Sequence, residues 1–207
     1  LTLCANNNIK VIFYQLSNWN DLAGDPSFGI LPTDSLAVTR SKLDKLAGNN
    51  SLGKNFITDP RIPFWIVLNE PNYAVYSNWV NYVADYIRGL GANVSCGFGH
   101  YNYQGPSTWV PMIKDHVTHI VFHDYSWEAA VAAQNAGQSV FNAVYPIFAN
   151  EIAQYQTLMS PIPPQNLILG EFGCQKYAQS AATEDTRGEY YHAVFQACKD
   201  YNVSPFP

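Results

Sequence analysis

Charge is what this sequence has least of. Its 207 residues include 11 Lys and Arg against 16 Asp and Glu, a charged share of 13%, about half the ~25% usual in soluble domains. With a net charge of −5 and no basic run, the chain offers little to neutralise phosphates, which argues against a nucleic-acid partner. No apolar stretch reaches the ~18 residues of a membrane span. No GxGxxG follows an apolar run, which weakens a dinucleotide-binding reading. The chain opens Leu1-Thr2-Leu3-Cys4, without a methionine or a basic leader, and so reads as a mature or partial chain. Cysteine is sparse: Cys4, Cys96, Cys174 and Cys198 show neither a CxxC nor another metal-ligand spacing, so no metal site is expected. The four permit two disulfides in any of three pairings, or they are buried thiols.

Aromatic residues are plentiful, with 14 Tyr, 11 Phe and 5 Trp, in a chain that is 47% hydrophobic. Such a surplus suits stacking on sugar rings or an aromatic-rich core. Three Asn-x-Ser sequons, with Asn49, Asn93 and Asn202 as acceptors, lean with the low charge toward a secreted glycoprotein.

Strand and helix patterns alternate along the chain. Strands are expected at Lys10–Leu16, Phe64–Leu68, Asn93–Gly97, Thr118–His123 and Asn166–Gly170, with an incipient sixth at Val203. Helices are expected from Thr33-Asp34-Ser35 to Gly48, over the repeat Val75, Trp79, Val83, Ile87 and Leu90, and around Thr108–Lys114. Two more run through Val140, Val144, Phe148, Ile152 and Tyr155, where Pro146 marks a kink or a start, and over Thr183–Tyr201. No linker or low-complexity segment divides the chain, so residues 1–207 read as one domain. Serial βα units imply a parallel sheet with right-handed crossovers. That means a doubly wound sheet or a (β/α)8 barrel, and a complete barrel takes about 250 residues.

Two glutamates stand out. Each closes an apolar run: Phe64-Trp65-Ile66-Val67-Leu68 leads into Asn69-Glu70-Pro71, and Leu167-Ile168-Leu169 leads into Gly170-Glu171-Phe172-Gly173. A strand that ends in a carboxylate builds a poor core, because burying an unpaired charge is costly. It aims that carboxylate well at a ligand beyond the carboxyl end of the sheet. Paired carboxylates so placed are the equipment of glycoside hydrolysis. Trp19 and Trp127 follow strand ends and read equally as sugar platforms or as core. His100, Tyr101 and Tyr103 are further candidates, whereas Trp79, Tyr82 and Tyr86 read as helix packing.

Asn69-Glu70-Pro71, His123-Asp124-Tyr125 and Gly170-Glu171-Phe172-Gly173, in that order on three strand ends, resemble glycoside hydrolase family 5, a family of retaining (β/α)8-barrel glycosidases of the cellulase and mannanase kind. The resemblance implies an incomplete barrel, from about strand three to the start of strand eight. It implies Glu70 as general acid/base, Glu171 as nucleophile, Asn69 as a ligand of the sugar 2-hydroxyl, and His123 and Tyr125 lining the cleft, with Tyr125 orienting Glu171. It implies an oligo- or polysaccharide substrate, a β-linked glucan or mannan, and no cofactor. The family's strand-two arginine and strand-eight tryptophan have no counterpart here, and the histidine usual near the end of strand three is replaced by Tyr14-Gln15-Leu16-Ser17-Asn18-Trp19. A catalytically inactive structural or carbohydrate-binding protein on the same scaffold is the alternative.

Overall fold

The computed structural model describes residues 13–17, 30–98, 105–174 and 182–205, together with Asn6. The elements run β1 (Phe13–Ser17), α1 (Leu36–Leu46), β2 (Trp65–Leu68), α2 (Tyr73–Gly89), β3 (Val94–Ser95), β4 (Gly97–Phe98) and α3 (Pro106–Ile113). They continue with β5 (Ile120–Asp124), α4 (Trp127–Asn135), α5 (Val140–Leu158), β6 (Leu167–Phe172), α6 (Glu184–Asp200) and β7 (Ser204–Pro205). The chain divides into two compact units: Leu1–Phe98 with Met112–Ile120, and Gly99–Pro111 with Val121–Pro207.

In the first unit β1, β2 and β3 form a sheet in that order, all parallel, with Phe13 opposite Trp65 and Trp65 opposite Val94. Every residue of β2 is buried, as expected of an unbroken apolar run covered on both faces. The Trp65 indole N–H keeps its hydrogen bond in that interior by donating to the Ile57 carbonyl at 3.0 Å. The cap residues act as the sequence predicts. The Ser35 hydroxyl accepts from the Val38 amide at the start of α1, and Gly48 lies just past its end at φ +124°. Helix α2 buries Trp79, Val80, Val83, Ala84 and Ile87. Trp79 donates to Thr39 of α1 at 3.1 Å, and the Tyr86 hydroxyl donates to Asp44 at 2.7 Å, so these helix aromatics serve packing.

In the second unit β5, β6 and β7 are neighbours in that order, with β6 and β7 parallel. Helices α5 and α6 pack together, and Phe148 meets Tyr190 edge-on with ring centroids 6.0 Å apart. Thr183 caps α6 through the Thr186 amide, and Glu184 and Asp185 sit in its first turn.

Three expectations need correction. The single strand foreseen at Asn93–Gly97 is two strands, β3 and β4, on either side of Cys96. The Cys96 thiol is fully buried and donates to the Leu68 carbonyl at 3.2 Å. Pro146 does not start its helix; it lies inside α5, which runs from Val140 to Leu158. Helix α4 was not foreseen, because its buried face consists of Ala130 and Ala133, too small to give an apolar stripe. Cys96, Cys174 and Cys198 are buried free thiols, and Cys4 lies outside the described residues. No helix among the described residues is long and apolar enough to cross a membrane. The sequon asparagines Asn49, Asn93 and Asn202 are all exposed.

Candidate active site

The first unit delivers Glu70. Strand β2 ends at Leu68, Asn69 and Glu70 are half-buried, and Pro71 and Tyr73 are buried again. Glu70 has φ +44°, in the left-handed region that costs a residue with a Cβ about 1–2 kcal/mol. A residue before proline ordinarily extends, so the conformation is set by its surroundings rather than by local preference. Asn72 follows as the N-cap residue of α2, its carbonyl accepting from the amides of Val75 and Tyr76. The turn after β2 is thus held between a buried strand and a helix start. Strain stored at such a turn is a common mark of a functional position.

The second unit delivers Glu171, by a different device. Strand β6 is buried through Leu167, Ile168 and Leu169 and half-buried from Gly170 onward, so Glu171 leaves the core as the strand reaches its carboxyl end. On the neighbouring β5, residues 120–124 are buried and Tyr125, just past its end, is exposed. The Tyr125 hydroxyl donates to Glu171 Oε2 at 2.5 Å, a short hydrogen bond of the kind made to an ionised acceptor. The His123 ring is fully buried, its Nδ1 3.6 Å from the same oxygen. That is beyond hydrogen-bond distance, so the imidazole backs the carboxylate. Behind them lies Gly170, where a Cβ would come within 2.4 Å of Val121 Cγ1 and 3.1 Å of His123 Nε2. The glycine makes room for β5 side chains.

Trp127 opens α4, half-buried, with its amide bonded to the Tyr125 carbonyl at 2.6 Å. Trp19, His100, Tyr101 and Tyr103 lie outside the described residues.

Two acidic residues of the second unit escaped the sequence reading. Asp124, between His123 and Tyr125, is 3% exposed, and its Oδ1 accepts from the Ser126 amide at 2.7 Å and the Ser126 hydroxyl at 2.5 Å. Glu151 of α5 lies against it, and burial, then the Asp124 carboxylate, push the Glu151 carboxyl far above the usual carboxylate range. The signal available for Asp124 was its place in the His-Asp-Tyr run. Glu151, a lone acid on an amphipathic helix, gave none.

No family model and no curated protein matches the chain by sequence. Among solved structures, it is similar to the glycoside hydrolase family 5 mannosidase from Rhizomucor miehei, with 15% identity, a TM-score of 0.55, and 82% of this chain covering 44% of that one. It is also similar to a glutamate-to-alanine mutant of that enzyme in complex with mannosyl-fructose, with 14% identity, a TM-score of 0.58, and 97% of this chain covering 60% of that one. The chain therefore spans roughly half the length of these neighbours. Over that span, it has the fold of the family 5 (β/α)8-barrel glycosidases, carried as part of the barrel.

Proposed function

We propose that this chain is the catalytic portion of a retaining β-glycosidase of family 5, acting on a β-linked mannan or glucan. The observation that carries the reading is the hydrogen bond from Tyr125 to Glu171 at 2.5 Å. A hydroxyl aimed at one carboxylate oxygen fixes the group and leaves the other oxygen to attack. In this reading ionised Glu171 attacks the anomeric carbon, while Glu70 gives its proton to the departing glycosidic oxygen as that bond breaks. Glu70, now ionised, takes a proton from water. The water oxygen attacks the anomeric carbon, and the bond to Glu171 is released with net retention. Asn69 holds the sugar 2-hydroxyl, Trp127 faces the substrate, and His123 keeps Glu171 from turning away.

Because the neighbouring structures are mannosidases, a β-mannoside is the first substrate to test, with a β-glucoside second. The sequons and low charge support secretion and glycosylation. Glu171→Ala is expected to abolish turnover. Azide should then restore part of it with an activated aryl β-glycoside, releasing the glycosyl azide of inverted configuration. If Glu70→Ala gives that product instead, the two roles are exchanged.

The competing reading is a non-catalytic carbohydrate-binding or structural protein on the same scaffold. Equal, background release of reducing sugar by the parent and by Glu171→Gln would establish it.

A further inference from the structure

The second unit contains an acid pair that the double-displacement chemistry does not use. Asp124 is buried at the end of β5, and its two oxygens have different fates. Oδ1 accepts both Ser126 donors, while Oδ2 is buried with no donor to accept from. Leaving a buried carboxylate oxygen unmatched is expensive. The group of α5 that lies against it is the Glu151 carboxyl. Two ionised carboxylates there would repel one another in a site with little solvent. One proton held between them removes the repulsion and gives Oδ2 its donor.

The surroundings suit a pair carrying one negative charge. Facing it are Tyr155 of α5 itself and Tyr190 of α6, both fully or almost fully buried. Burial chiefly raises each phenol, and the neighbouring carboxyl groups raise it further, Glu151 and then Asp124 at Tyr155, and Asp124 at Tyr190. Trp109 of α3 packs against Tyr155, ring centroids 5.7 Å apart. The nearby Cys174 thiol is likewise pushed up by burial.

The pair sits at the root of the turn that matters most for Glu171. Asp124 fixes Ser126 through both its amide and its hydroxyl, and the residue between them is Tyr125, whose carbonyl accepts from the Trp127 amide. Anchoring Asp124 from behind therefore fixes the arc that carries the Tyr125 hydroxyl.

We propose that Asp124 and Glu151 share one proton in a carboxyl–carboxylate hydrogen bond, and that this bond makes Glu151 a positioning residue for the Tyr125–Glu171 contact. Calling that contact a catalytic one rests on the glycosidase reading; the pair and its effect on Tyr125 do not.

The test compares the parent with Glu151→Gln, whose amide donates as the protonated acid does, and with Glu151→Leu, which cannot. Infrared difference spectra, parent minus Glu151→Gln at neutral pH, are expected to show the C=O band of a protonated carboxyl. Its absence would overturn the shared proton.

Denaturation across pH gives a second reading. Glu151 bears a proton in the folded protein and loses it in the unfolded chain above about 4.3. The folded state then binds more protons, so stability is full below that value and declines as pH rises through and beyond it. The folded-to-unfolded ratio of the parent should fall relative to Glu151→Gln by up to about tenfold per pH unit. Parallel pH profiles of the two proteins would contradict the proposal.

Positioning is read by NMR on ring-labelled tyrosine. The Tyr125 signal is expected to move in Glu151→Leu and to stay in Glu151→Gln. A signal unmoved in both would confine Glu151 to a structural role and overturn the positioning claim. None of these measurements needs turnover, so an inactive parent would count against the glycosidase reading and leave the acid pair to be judged separately.

Discussion

The two glutamates stand at the ends of similar strands, and they are held in different ways. Glu171 is steered by side chains of the adjacent strand: the Tyr125 hydroxyl reaches its Oε2, and buried His123 stands behind it. Glu70 is placed by its backbone, at φ +44° between a fully buried strand and the first turn of α2. The difference suits the two tasks proposed for them. A nucleophile performs best as an anion aimed along one line, which a donated hydrogen bond secures. An acid/base residue gives up and regains a proton within each cycle and must deliver it to one place, which a fixed turn secures. The strain at Glu70 and the crowding at Gly170 are local costs of these two arrangements.

Removing the tyrosine hydroxyl breaks the comparison most sharply. A hydrogen bond to a charged group is worth roughly 1.5–3 kcal/mol, so Tyr125→Phe is expected to lower kcat about 10- to 100-fold with little change in fold, as read by steady-state kinetics and circular dichroism. An unchanged kcat would mean that the hydroxyl does not steer Glu171. Crowding the second strand end comes next. Gly170→Ala places a methyl group 2.4 Å from Val121 Cγ1 and is expected to cost about 1–3 kcal/mol of stability, measured by denaturant titration. A neutral result would show that β5 yields easily there. The smallest effect belongs to the strained turn. Since a left-handed conformation penalises a Cβ, Glu70→Gly should be more stable than Glu70→Ala by about 1 kcal/mol, with both variants inactive. Equal stabilities would place Glu70 in an ordinary conformation.

The sequence announced these strand ends because apolar runs that terminate in carboxylates are a one-dimensional pattern. β2 and β6 lie where that pattern put them, and so does the helix buried through Trp79, Val83 and Ile87. What it concealed depends on neighbours distant in sequence. The reason for Gly170 is a valine and a histidine 49 and 47 positions earlier. The left-handed Glu70 defies the extended preference of a residue before proline. Glu151 has the look of a solvated helix residue until α5 brings its carboxyl against Asp124. Helix α4 buries alanines, which carry almost no periodic signal. Pattern located the carboxylates, and tertiary contacts determine what holds them.

The most direct test of the central claim is to trap the covalent intermediate. The protein would be incubated with an activated 2-deoxy-2-fluoro β-mannoside or β-glucoside, digested, and its labelled peptide identified by mass spectrometry. The account predicts a single glycosyl ester on Glu171, formed slowly and absent from Glu171→Gln. An ester on Glu70, or a label shared by the parent and Glu171→Gln alike, would contradict it.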